Sequence, residues 1–432
     1  MSSILTNNGA MVALQTLKTI NSRLATTQQE ISTGKTVATA KDNSAVWAIS
    51  KVMEADVKGF KGISDSLNLG QSTVAVARQA AETVSDLLTD IKGKIVAAQE
   101  ENVDRDKIQA DISALRDQIS AVVGAAQFNG LNLLSNVSLT AGSGEINILS
   151  SLDRSGTGVT ASDITVGKQD LATDAQAIQA TGGTFTAAGV TGTLNATQTV
   201  TLDLSTLTIE AGKAFAIQIF GTDADDSTFT QADYRNTAAA AMTQAEAAAE
   251  PMAYVARDGD TAQDVAKILA EKWATYLAAN NLDSNVLDIQ ASGSGLVLTS
   301  TVTNATDLIA VSVATVGADA GNTIGGRLAG LADVDVTTQA GADSALASIE
   351  GLINTAIDSA AAFGSAQGRI ETQLDFVSGL TDALKSGIGT LVDADMEEAS
   401  ARLQALQVQQ QLGVQALSIA NKAPQSLLSL FQ

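Results

Sequence analysis

The chain of 432 residues predicts a mainly α protein: a long antiparallel coiled-coil-like helical bundle formed by both chain ends, with an inserted α+β module. Apolar residues recur at an average spacing near 3.5 in both ends, the signature of a helical seam. Between about residues 173 and 338 that period gives way to short β-rich runs broken by Gly, Asn, Asp and Ser. Two prolines and 3% aromatics, with abundant Ala, Gln, Ser and Thr, suit long helices better than a pocket of aromatic rings.

The first long helix starts near Val46. Its apolar or small positions are Val46, Ile49, Met53, Phe60, Ile63, Leu67, Gly70, Val74, Ala77, Ala81, Val84, Leu88, Ile91, Ile95 and Ala98. Steps of three and four alternate, with one slot skipped at Asp56, so the stripe stays on one face. Such a helix is about 80 Å long at about 1.5 Å per residue, and it needs partners along that length. A polar turn, EENVDRD, interrupts it, and Ile108, Ile112, Leu115, Ile119 and Val122 resume the pattern in an antiparallel second helix. FNGLNLL, from Phe128 to Leu134, leaves the helix through an Asn-Gly turn, and Glu145 to Val166 alternates like a hairpin around RSGTG.

The C-terminal part mirrors this. One stripe runs Ile349, Leu352, Ala356, Ala360, Phe363, Ile370, Leu374, Val377, Leu380 and Leu384; another runs Met396, Ala399, Leu403, Leu406, Gly413, Leu417 and Ala420. A bend is expected between them near Gly387 and Gly389. At the other end Met11, Leu14, Leu17, Ile20, Leu24 and Ile31 carry the same seam. Each buried Leu or Ile is worth roughly 1.5–3 kcal/mol, so the two ends are expected to pair. The outermost segments, about 1–35 and 397–432, bury little as isolated helices, so their order is expected to come from packing on copies of themselves. Gly34, where the first seam ends, is a candidate helix stop and hinge. Leu427, Leu428, Leu430 and Phe431 form an apolar cluster that marks a binding surface for subunits or a chaperone.

In the middle, TLNATQTVTLDLSTLTI, AFAIQIF, NVLDIQASGSGLVLTSTVT and DLIAVSVATV read as strands. TAQDVAKILAEKWATYLAANN reads as a helix from about Thr261 to the pair Asn280 and Asn281. A module inserted between two halves of a bundle is the simplest arrangement.

Charge and composition exclude several functions. A net charge of −22 without a basic run opposes nucleic acid and anionic lipid. No stretch of apolar residues is long enough to insert in a membrane, and MSSILTNNGAMVALQ lacks the form of a cleavable signal. With no His and no Cys, the common general base, thiol nucleophile and soft metal ligands are missing, so no catalytic, cofactor or metal site is assigned. Asp223, Asp225 and Asp226 in GTDADDST are spaced faintly like a calcium loop, but the central Gly is absent and Tyr234 stands where the closing Glu belongs, which favours a solvated turn. The Asn-x-Ser/Thr triplets at Asn136, Asn195 and Asn304 are expected by chance.

SILTNNGAMVALQTLKTINSRLATTQQEISTGKTVATAKDNSAVWAIS and LVDADMEEASARLQALQVQQQLGVQALSIANKAPQSLLSLFQ closely resemble the two ends of bacterial flagellins, particularly the alphaproteobacterial type. ISTGK, AKDNSA, QFNG and ANKAPQSLLSLF are the specific segments, and the resemblance covers about residues 1–140 and 345–432. DIQASGSGLVLTSTVT after the TAQDVAKILAEKW helix resembles a repeat of some flagellin and hook-protein inserts. The resemblance implies an inner tube from residues 1–38 and 397–432, outer-tube helices and hairpin from 39–172 and 339–396, and a solvent-facing insert from 173–338. It further implies export without a cleaved signal and assembly outside the cell into a helical homopolymer. Other flagellins, an export chaperone, and junction and cap proteins are the implied partners. A hook–filament junction protein is the alternative of the same class, separated by whether purified chain polymerises. An enzyme-bearing subunit is the other alternative, but the metalloprotease motif of some inserts needs two His, and this chain has none.

Overall fold

In the computed structural model, Asn7 caps the first helix, its Oδ1 accepting from Ala10 N at 3.0 Å. The structure describes residues 7–155, 158–178, 186–195, 198–234, 252–301, 307–316 and 321–428. Helices α1 (Asn8–Thr33), α2 (Ser44–Ala97) and α3 (Arg105–Ala125) are followed by short strands β1 (Gln127–Phe128) and β2 (Leu131–Asn132) and by the hairpin β3 (Glu145–Ser155) and β4 (Gly158–Gly167). The insert holds β5 (Thr186–Asn195), β6 (Gln198–Asp203), β7 (Ala214–Thr222), β8 (Ala253–Val255), α4 (Ala262–Asn280), β9 (Asp288–Ser292), β10 (Gly295–Ser300) and β11 (Leu308–Val316). A short 3-10 turn (Ala329–Asp333) leads into α5 (Gln339–Val392) and α6 (Met396–Leu428).

The chain forms two units. One comprises Met1–Asp65, Ser151–Thr160 and Leu374–Gln432; the other comprises Ser66–Ser150 and Ala161–Gln373.

Within the second unit the expected stripe is the core. Leu67, Val74, Ala81, Val84, Leu88, Ile91 and Ile95 of α2 are all buried, as are Ile349, Ala356, Phe363 and Ile370 of α5. Arg78 Nε donates to Gln367 Oε1 and Gln71 Nε2 to Glu371 Oε1, each at 3.0 Å, so α2 and α5 run antiparallel. Gly70 has a steric reason: a Cβ there would lie 2.6 Å from Ile148 Cδ1, so its absence seats β3 on the helix. Asp104 caps α3 by accepting from Lys107 N. The Asn-Gly turn forms as expected, with Asn129 and Gly130 both at positive φ between β1 and β2.

The insert contains a three-stranded sheet ordered β6-β10-β9 and a four-stranded sheet ordered β5-β11-β7-β8, its pairs antiparallel. Phe215, Ile217 and Ile219 of β7, Leu296 and Leu298 of β10, and Leu269 and Trp273 of α4 share one core. Thr261 and Asp264 make a reciprocal capping box and Asn281 closes α4 in the left-handed region, so both ends of that helix stand where its capping residues predict. The run from Thr193 to Ile209 divides into the end of β5 and all of β6, and β8 is a strand that the sequence reading did not anticipate.

Two expectations need correction. Ile49 is more than half exposed rather than part of the buried stripe, as are Met11 and Leu14 of the α1 seam. The helix is not interrupted at Gly387 and Gly389, where the junction between the two stripes is expected: α5 continues through both to Val392. Gly387 is a close-packing position, where a Cβ would lie 3.1 Å from Met53 Cε. The break comes at Asp393–Asp395, because Asp395 Oδ1 accepts from Glu397 N at 2.9 Å and from Glu398 N at 3.2 Å and so starts α6 as a new helix.

Candidate assembly surface

Helices α1 and α6 belong to one unit and run antiparallel along each other. Asn7 Nδ2 donates to Ala420 O at 2.8 Å, Gln410 Nε2 to Asn21 Oδ1 at 2.7 Å, and Arg402 Nη1 lies 3.8 Å from Glu30 Oε2. Between these contacts the facing side chains follow a seven-residue rhythm. On α1 they are Ala13, Leu17, Ile20, Leu24, Thr27 and Ile31; on α6 they are Ala399, Leu403, Leu406, Gln410, Gly413 and Leu417. Ile20, Thr27, Ala399 and Leu406 are buried, whereas Leu17, Leu24, Ile31, Leu403 and Leu417 are half-buried. Gly413 lets the helices approach, since a Cβ there would come within 3.1 Å of Leu17 Cδ1.

Gly34 ends α1 in the left-handed region at φ 69° and ψ 15°, its N–H donating to Glu30 O at 2.8 Å. The chain then meets the α5–α6 break: Ala394 N donates to Gly34 O at 2.9 Å and Thr36 N to Val392 O at 2.8 Å, with Lys35 bridged to Asp393. Beyond this junction Asp42 accepts from Thr39 N at 2.9 Å and Thr39 Oγ1 at 3.0 Å, bonds that hold its carboxyl below the usual range. Both connections are thus fixed by backbone and short polar side chains.

Among the described residues, several apolar side chains of the pair have no cover. Leu14 is 58% exposed, and Met11 and Val12 are similarly open. On α6, Val408, Leu412, Val414 and Ile419 are exposed, Ile419 at 71%. Val408, Leu412 and Ile419 lie on a second register, with Ala401 and Ala405, offset by two residues from the first and so on roughly the opposite face of α6. The sequence reading followed only one stripe and missed this one, although spacings of three and four were present to find it. Leu427 and Leu428 lie in α6 with side chains outside the described residues, and Leu430 and Phe431 lie outside them altogether.

Among the described residues no helix is long and apolar enough to cross a membrane. Residues 4–138 match the bacterial flagellin N-terminal helical region and residues 346–431 the bacterial flagellin C-terminal helical region. Flagellin A of Rhizobium meliloti is 34% identical over 434 residues, covering all of both chains. Flagellin FljK of Caulobacter vibrioides is 28% identical over 435 residues, covering 100% of this chain and 99% of that one. Among solved structures, FliC from Burkholderia pseudomallei overlays with a TM-score of 0.30 at 16% identity, covering 69% of this chain and 99% of that one. With both terminal regions present and a full-length relative at 34% identity, the chain belongs to the bacterial flagellin family, whose members are structural subunits of the extracellular flagellar filament rather than enzymes.

Proposed function

We propose that α1 and α6 act as an antiparallel coiled-coil pair whose uncovered apolar edge packs on copies of the same chain, so that subunits stack head to tail into an open helical filament. One observation carries this reading: Met11, Val12 and Leu14 lie at the same end of the pair as Leu412, Val414 and Ile419, and all six are exposed. Exposed apolar surface on a helix pair marks an interaction site, and a heterologous contact that does not close gives a filament. In this reading Leu14, Leu17, Ile20, Leu24, Ile31, Leu403, Leu406 and Leu417 work in two ways, the half-buried ones finishing their burial against neighbours. Residues 1–38 and 397–432 form the inner layer, 39–172 and 339–396 the outer layer, and 173–338 the exposed insert. Gly34 is the hinge between inner and outer layers.

The chain travels to its assembly site unfolded. Leu427, Leu428, Leu430 and Phe431 serve subunit packing there and a chaperone beforehand, and other flagellins, junction proteins and cap proteins are further partners. Purified full-length chain should sediment as micrometre filaments visible by negative-stain microscopy once seeded or salted. Chains lacking residues 1–35 or 397–432 should stay monomeric while keeping the helical circular dichroism of the remaining bundle. Filaments from either truncated chain would refute the proposal.

A further inference from the structure

A polar cavity of about 460 Å³ opens on the second unit, and all its lining residues belong to that unit. It is lined by four segments: the stretch from after β2 to the start of β3, the end of β4 and the residues after it, the loop leading into α4, and Arg327 just before the 3-10 turn. Gly144 N donates to Asp258 Oδ2 at 2.6 Å, and Asn136 Nδ2 donates to Asp258 O at 2.9 Å, which fixes the first segment to the third. Gly144 cannot be replaced, since a Cβ would lie 2.2 Å from Asp258 O. The mouth carries the exposed glycines Gly142, Gly167 and Gly259 and the exposed Glu145.

Two buried polar atoms on this wall have no partner: Asn136 Oδ1, on a residue only 5% exposed, and Arg327 Nε. One requires a donor and the other an acceptor, and an unpaired buried polar atom costs about 1–3 kcal/mol. Other lining groups are already engaged. Arg257 Nε pairs with Asp170 Oδ2 at 2.6 Å, Asp260 Oδ2 accepts from Arg257 N at 2.8 Å, and Asp264 Oδ2 accepts from Thr261 N at 2.9 Å.

Charge selects the ligand. The lining has five carboxylates (Glu145, Asp170, Asp258, Asp260 and Asp264) against three cations (Lys168, Arg257 and Arg327), so an anion is repelled overall. A cation would satisfy Asn136 but lie against Arg327 and Lys168. Neutral hydroxyls can answer both kinds of unpaired atom, because each can donate and accept. The volume falls in the lower part of the range of small-molecule sites, about 300–1,000 Å³, but the lining is mainly polar and carries no apolar side chain larger than the aliphatic stems of Lys168, Arg257 and Arg327. We propose that this cavity binds a small neutral polyhydroxylated molecule of monosaccharide size, its hydroxyls donating to Asn136 Oδ1 and accepting from Arg327 Nε–H. Such binding needs no filament, so it is independent of assembly.

Saturation-transfer NMR on the full-length monomer tests this with four probes: methyl α-D-glucopyranoside, myo-inositol, methylguanidinium and methyl phosphate. Two variants accompany the wild type. Asn136→Leu removes the acceptor, and Gly167→Tyr fills the mouth at a position where a Cβ meets nothing within 4 Å, so it leaves the fold intact. The expected result is transfer to at least one neutral polyol, falling to a tenth or less in both variants, with little to either ion. Transfer mainly to methylguanidinium or methyl phosphate overturns the proposal, as does polyol transfer that Gly167→Tyr leaves unchanged. Absence of transfer to every probe also overturns it and leaves a cavity filled by water alone.

Discussion

Arg257 takes its charge into the interior at 3% exposure, and everything around it answers that charge. Nε meets Asp170 Oδ2 at 2.6 Å, Nη1 donates to Tyr254 Oη at 2.6 Å, and Nη2 donates to Gly325 O. Removing one partner of a buried ion pair strands the other, so Arg257→Met should destabilise the monomer by about 3–5 kcal/mol in urea unfolding. The double substitution with Asp170→Leu should recover part of that loss, because no charge is then left unpaired. Asp223 tells a different story from the loop motif that contains it. Its carboxylate accepts from Phe229 N and Thr228 N at 3.0 Å and Asp225 N at 3.2 Å, bonds that lower its pKa to about 2, Phe229 contributing most. Because the folded state holds the lower pKa, this contribution is present above the ordinary value of 3.8 and is lost as pH falls toward 2. Insert unfolding followed by Trp273 fluorescence should therefore steepen between about pH 4 and pH 2 in the wild type and less so in Asp223→Asn. Asp225 and Asp226 likewise accept from backbone N–H groups of Ser227 and Gln231, and the ring of Tyr234 packs edge-on against Phe229. The motif is an ordered turn.

At the scale of elements, α1 and α6 each present two faces, and only one is used within the chain. Substituting the outer face should separate folding from assembly. Leu412→Asp and Ile419→Asp, on exposed positions, should change monomer stability by no more than about 0.5 kcal/mol yet abolish sedimentable filaments. Leu406→Asp, on the buried face, should lose both helix pairing and assembly, visible as reduced ellipticity at 222 nm. The long helices were legible in the sequence because a seven-residue rhythm held over many turns leaves few alternatives: Leu67 through Ile95 are buried where the stripe puts them, as are Ile349, Ala356, Phe363 and Ile370, with Leu352 and Ala360 half-buried between them. Their ends were less legible. Gly387 and Gly389 look like breakers, but a glycine facing a packed Met53 is a spacing device, and a capping Asp395 decides the break instead.

For the whole molecule, the insert's two connections return side by side. Ala177 and Thr323 exchange backbone bonds at 3.0 and 2.7 Å, Gly326 N donates to Asp174 O at 2.8 Å, and Leu328 N to Ala172 O at 3.1 Å. Adjacent antiparallel segments can be joined by a two-residue turn. Replacing residues 179–321 by Asn-Gly should leave a folded, polymerising chain, on one condition: Asp170 must become Asn, because its partner Arg257 departs with the insert. Without that change the shortened chain should unfold at lower urea, by about 3–5 kcal/mol. Loss of filaments in the shortened Asp170→Asn chain would show that the insert is needed for assembly.

Periodicity, composition and capping residues alone determined that both ends are helical, that the middle is a mixed module with a helix from Thr261 to Asn281, and that histidine and cysteine chemistry plays no part. These are local properties: a repeat of 3.5, a capping box or a missing residue type has its meaning within a few turns of chain. The sequence reading did not disclose that α6 carries a second apolar register facing outward, that Arg257 lies 87 positions from the carboxylate that holds it, or that Asn136 lines a cavity. Those depend on which surfaces meet after the chain has folded back across hundreds of residues, and a contact so distant leaves no trace in local spacing.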